Sequence, residues 1–458
     1  MSKLWGARFD KKSDKLADQF TFSISYDHRL AKYDCIGSIA HVLMLGKQGI
    51  ISKKESSVIA TGLRKILIQI NSGKFKYDPK AEDIHTDIQN RLKALIGKPA
   101  DKLHTARSRN DQVVLDVKLY ALDHILHLAV AIENLQKSIL AFAQQNSDVI
   151  IPGYTHLQQA QVVLLAHHML AYVEMLERDK SRLEDCFNRT NVMPLGACAL
   201  SGTSLKTDRA YVAQLLGFVQ VAANSMDVVS DRDFIVELIA SCSITAMHLS
   251  RFSEDLILWA TREFNFIDID SSFCTGSSIM PHKKNPDVLE LMRGATGKIY
   301  GHLTEVLVLL KGLPLSYNRD LQLDKPPLFE TIETTELMLR TMAKLFLNLK
   351  VKKAEVAKAI NDESFFCVDA MDYLIKKGVS YRDAHDVLGK MVKECLDQGI
   401  KISHLTEKQL KAYHPLFNDD VKKLFNPQSS VKIKASFGST NPTLVKQQLQ
   451  SWSKKLDA

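Results

Sequence analysis

From Asp111 to Gln144 the chain runs for 34 residues, DQVVLDVKLYALDHILHLAVAIENLQKSILAFAQ, without one glycine or proline. A stretch that long, free of both breakers, has one regular solution, an α-helix of roughly 50 Å at ~1.5 Å per residue. Val113, Val114, Val117, Leu119, Leu122, Ile125, Leu128, Ile132, Leu135 and Ile139 fall on several of its faces. A helix that is apolar nearly all round is a buried one. Asn110 or Asp111 is placed to cap its start, and Asn146-Ser147-Asp148 followed by Pro152-Gly153 ends it. Similar runs lie at about 158–188, 231–263, 286–311 and 329–350, separated by short polar breaks. That is the pattern of an antiparallel helix bundle, and no strand–helix alternation competes with it. The expected fold is all-α in three helical parts: 1–110 with shorter helices, 111–360 with the long bundle, and 361–458 with short helices again. In the last part Thr406 and Gln409 have the spacing of a capping box.

Composition narrows the partners. The 60 lysines and arginines against 52 acids leave a net charge of +8, interspersed along the chain rather than gathered in a stripe, which argues against nucleic acid. A modest positive surplus suits an anionic small substrate. The seven cysteines (Cys35, Cys186, Cys198, Cys242, Cys274, Cys367, Cys395) are odd in number, widely spaced and never in a C-x-x-C pair. They read as reduced thiols of a cytoplasmic protein, with neither disulfides nor a metal site expected. The opening MSKLWGARFDKKSDK has no apolar core of a secretory leader, and no run of 18 apolar residues suggests a membrane span.

The polar signals gather at expected helix ends. HTARSRNDQ (104–112) precedes the long helix, and its arginine forks beside a helix N-terminus suit a carboxylate. Taken alone, a helix cap with surface arginines explains it as well. IPGYTHLQQAQ (151–161) puts Thr155 or His156 in what reads as the first turn of the next helix. An imidazole there is a candidate acid or base, although a lone histidine near a helix start is more often structural. GSSIMPHKKNPD (276–287) combines small residues, two lysines and a helix start with Asn285 as N-cap, Pro286 at N1 and Asp287 in the first turn. Such a loop is suited to grip an anion with Lys283 and exposed backbone N–H groups. A serine hydroxyl beside a fixed cation gains acidity there. The arginine cluster and His156 stand at opposite ends of the long helix, so one chain cannot bring them into one site. If they cooperate, the site forms between subunits.

These three motifs, in this order, resemble the fumarase/aspartase superfamily, helical homotetrameric lyases that release fumarate. Within it the chain is similar, nearly end to end, to the argininosuccinate lyase family. The similarity runs through LWGARF (4–9), GSIAH (37–41), EDIH (82–85), HTARSRNDQ, GYTHLQ (153–158), MPLGACALSGT (193–203), KKNPD (283–287) and YNRDLQLDK (317–325). The resemblance implies cleavage of argininosuccinate to fumarate and arginine, without cofactor or metal, by a homotetramer whose active sites are shared between subunits. It implies that Ser277 takes the proton from the substrate carbon, that His156 is the catalytic histidine, and that Glu290 is the acid paired with it. Lys283 and Asn285 match the groups holding the carboxylate beside the forming carbanion. Ser23, Asp27, Arg109, Asn110, Thr155, Tyr317, Gln322 and Lys325 match substrate-binding positions. A doubly charged aci-carboxylate needs such preorganised donors, with a base on one face and an acid on the other. The family pattern leaves open whether Ser277 or His156 is the base; the loop favours Ser277. Ala7, Val162, His282 and Pro326 depart from the usual residues and remove no catalytic group. The competing expectations are another fumarate-releasing lyase, such as adenylosuccinate lyase, and a crystallin-like structural relative.

Overall fold

The structure is a computed structural model, and it describes residues 14–457. The LWGARF motif, Ala7 and the opening of the chain therefore lie outside the described residues. The principal elements in chain order are α1 (Ala31–Lys47), α2 (Lys53–Asn71), α3 (Ile84–Ile96), α4 (Arg109–Gln145), β1 (Ile150–Thr155), β2 (Gln158–Leu164), α5 (Leu165–Thr190), α6 (Asp233–Ala260), α7 (Asp287–Leu310), α8 (Lys325–Phe346), α9 (Cys367–Lys376), α10 (Tyr381–Gln398) and α11 (Pro442–Asp457). The chain is all-α in character, with short two-stranded pairings between helices.

The chain divides into two compact units. The first takes the chain up to Ala129, with Ser181–Ile244 and Gly297–Thr335; the second takes Val130–Lys180, Thr245–Thr296 and the chain from Glu336. The division cuts each of the five long helices, so each unit has its own helix–helix core. In the first unit, Tyr120 of α4 packs edge-on against Tyr33 of α1 and Phe329 of α8, with centroids 5.6 and 4.7 Å apart. In the second, Phe346 of α8 meets Phe142 of α4 at 5.4 Å and Phe252 of α6 at 5.1 Å, and Tyr172 of α5 stacks on Phe252 at 3.8 Å. Aromatic pairs at these spacings contribute beyond the area they bury. Helix α6 is long and apolar enough to cross a membrane, but most of its apolar stretch is buried in the structure, as in a core helix.

The long helix is where periodicity places it, and it begins slightly earlier. Ser108, not Asn110 or Asp111, is its cap: the Ser108 carbonyl accepts from Gln112 N–H and its hydroxyl from Asn110 N–H. Asp111 is thereby freed for another task. The run expected to be helical from about 158 opens instead as the β1–β2 hairpin, and α5 starts only at Leu165. The reason is local. Ile150, Ile151, Val162 and Val163 are β-branched, favour a pleated surface, and pair across the hairpin in register Ile150↔Leu164, Ile151↔Val163. Gly153 is required by close approach, since a Cβ there would lie 2.8 Å from the Gln161 carbonyl. At the C-terminal side, the Thr406–Gln409 capping box is present as spaced in the sequence, and α10 ends on Gly399 in the left-handed conformation.

Candidate active site

Thr155 and His156 are not in a helix. His156 and Leu157 form the two-residue tip of the hairpin, with φ of 56° and 58°, and both side chains are exposed. A two-residue turn with both φ positive matches the twist of its strands but favours Asn or Gly. A histidine and a leucine held there cost on the order of 1 kcal/mol each. Such strain persists where the surroundings impose it, and here it places an exposed imidazole at the tip of the hairpin.

The 276–284 loop is closed at its base by two backbone bonds, Thr275 N–H to Asn285 O (3.1 Å) and Asn285 N–H to Thr275 O (2.8 Å). The Thr275 hydroxyl also donates to the Asp287 carboxylate. Asn285 is therefore the loop's clasp and not the helix cap; the first helical bond is accepted by Pro286, whose carbonyl takes Glu290 N–H. Proline has no N–H to lose at that position. Within the loop, Ser277 Oγ accepts from Ile279 N–H (3.3 Å) and Met280 N–H (3.0 Å). The free N–H groups expected to grip an anion are thus turned onto the serine oxygen. Donors aimed at an oxygen favour its charged form, so the backbone supplies what the sequence reading assigned to a cation. Lys283 is exposed and without an ion pair among the described residues, while Lys284 pairs with Asp268 at 3.0 Å. Glu290 is exposed in the first turn of α7; among the described residues it forms no ion pair with His156.

The remaining residues converge in the first unit. Ser23 is buried and donates to Asp27 Oδ2 at 2.5 Å, and Asp27 Oδ1 accepts Ile84 N–H at 3.1 Å. Burial pushes the Asp27 carboxyl upward, against the pull of His85 and the Ser23 bond. Gln322 donates to the Thr21 carbonyl at 3.0 Å, as does Arg319 at 2.8 Å, so the 317–325 motif is tied to the backbone at Thr21. Tyr317 is half-buried, and burial raises its hydroxyl. Lys325 is buried on Asp324 at 2.8 Å, and Asp324 also takes the buried Arg232. Pro326 sits within the first turn of α8, where the missing N–H costs nothing. Arg109 pairs through Nε with Asp83 at 3.2 Å and donates to Gln112 Oε1 (3.0 Å) and Thr86 Oγ1 (3.2 Å). Asn110 donates to the Ala199 carbonyl at 3.0 Å, which leaves its own carbonyl oxygen for a ligand.

Ser23, Asp27, Arg109, Asn110, Tyr317, Gln322 and Lys325 thus belong to the first unit, and Thr155, His156, Ser277, Lys283, Asn285 and Glu290 to the second. Helix α4, with Arg109 as its first residue and Gln145 as its last, is 37 residues and about 55 Å long.

Sequence reasoning missed the buried polar groups behind the first set. Asp111 is fully buried; its Oδ1 accepts Ser108 N–H at 3.0 Å, and its Oδ2 accepts Gly196 N–H at 2.9 Å and Cys198 N–H at 2.8 Å. It ties the 193–203 motif to the start of α4. Arg209 holds the same segment from the carbonyl side, donating to Leu195 and Pro194, and links it to the Ala222 carbonyl. Burial raises the Asp111 carboxyl to about 6 despite its three N–H donors. Asp34, His85 and Asp116 form a second buried cluster. The available signal was a polar residue at a position where an all-apolar helix has none to spare.

A family model described as Lyase matches residues 7–301, and one described as Argininosuccinate lyase C-terminal matches residues 367–432. The chain is 49% identical to an argininosuccinate lyase of Geotalea daltonii, covering 98% of each chain. It is 47% identical to an argininosuccinate lyase of Desulforamulus reducens, covering 99% of each. Among solved structures it is similar to an EDDS lyase in complex with formate, with a TM-score of 0.84 and 26% identity over 98% of this chain and 91% of that one. The matched segments carry all three polar motifs, and the chain belongs to the argininosuccinate lyase family.

Proposed function

We propose that the protein cleaves argininosuccinate to fumarate and L-arginine by β-elimination, in the cytoplasm, as a step of arginine synthesis. The observation that carries this reading is identity of 49% over 98% of both chains with an argininosuccinate lyase. Ser277, its oxygen already accepting two backbone N–H groups, takes the proton from the carbon beside the carboxylate. Lys283 and Asn285 stabilise the resulting aci-carboxylate, which carries two negative charges. The electron pair then forms the double bond as the C–N bond breaks, and His156, with Glu290 as its paired acid in this reading, gives a proton to the departing guanidino nitrogen. Arg109 holds a substrate carboxylate, while Ser23, Asp27, Asn110, Thr155, Tyr317, Gln322 and Lys325 bind the rest.

The working form in this reading is a homotetramer, with each site built from more than one chain. Two features support it. Arg109 opens a helix about 55 Å long, and the hairpin bearing His156 follows that helix's other end. Leu291, Leu307, Val308 and Leu337 on α7 and α8 are exposed in the single chain, and a symmetric assembly would bury such residues.

The test follows fumarate absorbance with argininosuccinate and adenylosuccinate side by side. Release from argininosuccinate alone is expected; no release from it overturns the assignment. Sharing of sites is tested by refolding a His156→Ala variant together with an Arg109→Ala variant. Mixed tetramers assemble some sites with neither change, so part of the activity returns. No recovery in mixed tetramers confirmed by mass would show that each site is built within one chain.

A further inference from the structure

A guanidinium carries five N–H groups, and Arg109 has few of them free. NH1 donates to Gln112 Oε1 at 3.0 Å, NH2 donates to Thr86 Oγ1 at 3.2 Å, and Nε pairs with Asp83 at 3.2 Å. One N–H on each terminal nitrogen remains, matching in number the two oxygens of a carboxylate. The side chain is 30% exposed, so a ligand reaches it. Which way those two N–H groups point depends on what holds the other side of the guanidinium.

Gln112 is only 2% exposed, and its amide faces two charged groups. Its Oε1 accepts from Arg109, and its Nε2 donates to Asp34 Oδ2 at 2.7 Å. An amide in that position has only one workable orientation. An ionised carboxylate accepts and cannot donate, so Asp34 requires the NH2 end, and the oxygen is left for Arg109. Asp34 is itself pinned. The His85 ring bonds the same Oδ2, Ser38 donates to Oδ1 at 3.2 Å, and Arg107 donates to Ser38 Oγ at 2.8 Å. Burial works against the Asp34 charge, but the His85 bond and the positive charges of His85, Arg107 and Arg109 hold its carboxyl well below the usual range. Asp116, whose Oδ2 lies 3.3 Å from the same Nδ1 of His85, is pushed well above it by burial and by the Asp34 charge. The cluster thus keeps the negative charge on the carboxyl that touches Gln112.

We infer that Gln112 is a positioning residue: a buried Asp34–Gln112 relay fixes the direction in which Arg109 presents its two remaining N–H groups to a substrate carboxylate. The inference rests on the proposed reading of Arg109 as a substrate-binding residue. Gln112 touches no substrate in this account; its effect passes wholly through Arg109.

The experiment is a double-mutant cycle on the purified protein with argininosuccinate, measuring kcat and KM for wild type, Gln112→Met, Arg109→Lys and the double variant. Met keeps the volume of Gln112 and removes both hydrogen bonds. The expected result is a KM about 10-fold higher in Gln112→Met with kcat within about 3-fold of wild type. In the Arg109→Lys background, which has no fork to aim, Gln112→Met adds no further rise in KM. An unchanged KM in Gln112→Met, or an equal factor in both backgrounds, overturns the inference while leaving Arg109's role intact. If Arg109→Lys itself leaves KM unchanged, the reading of Arg109 fails and the relay falls with it. Should Gln112→Met not fold by circular dichroism, Gln112→Asn replaces it. That amide is one methylene too short to span Asp34 and Arg109, and the same KM rise is required of it.

Discussion

Asp111 offers the sharpest test of what holds the first set of residues together. Its carboxylate accepts three backbone N–H groups, two from the 193–203 segment and one from Ser108, and it has no exposed surface. Asp111→Ala leaves three donors without an acceptor. At about 1–3 kcal/mol per orphaned buried group the ceiling is roughly 9 kcal/mol, and water entering the vacated space brings the expected loss to about 3–5 kcal/mol. Asp111→Asn behaves differently. Rotation of its amide places Oδ1 on Gly196 and Cys198 N–H and gives up only the Ser108 bond, for an expected loss of about 1.5–3 kcal/mol. The pH dependence carries a sign. The folded carboxyl titrates at about 6, above the unfolded value near ~3.9, so the folded state holds the proton more tightly. The associated stability is fully present below about pH 4 and is lost as pH rises through about 6. Asp111→Asn lacks that slope, so its deficit relative to wild type widens as pH falls from 7 toward 5. Urea unfolding followed by circular dichroism, compared at the midpoint with the slope unchanged, measures all three quantities. An Asn variant as stable as wild type, or a deficit that stays constant between pH 7 and 5, would refute the reasoning.

Other outcomes follow from the same structure. Ser277→Ala should abolish turnover while leaving substrate binding largely intact; a near-normal kcat moves the base to His156. Glu290→Gln should lower kcat and shift the acidic limb of the pH–rate profile, whereas a merely solvated helix acid would leave the profile unchanged. Leu157 is 71% exposed at φ 58°, so Leu157→Gly should raise thermal stability, by up to about 1 kcal/mol, through relief of the left-handed conformation. Leu157→Val, β-branched in the same conformation, should lower it by about 1 kcal/mol, and the reverse order in thermal unfolding would contradict the turn assignment.

Much of this protein is legible in its sequence because the signals involved are local and repeated. The absence of glycine and proline from Asp111 to Gln144, with apolar residues on several faces, is a property of one segment read in one direction, and α4 follows from it. The capping box at Thr406 is equally local. The candidate chemical residues are named from long motifs with unusual composition. Tertiary structure alone decided the rest. Whether 158–164 becomes helix or strand depends on Ile150 and Ile151 lying opposite it, and a helical period and a short apolar strand look alike until a partner is present. The direction of the Gln112 amide depends on Asp34, which is 78 residues away in the chain. Asp111 reads as a helix cap in sequence and proves to be a clamp, because its acceptors' partners at Gly196 and Cys198 are more than 80 residues distant. A buried charge finds its partners in space, and nothing in neighbouring residues encodes where those partners are.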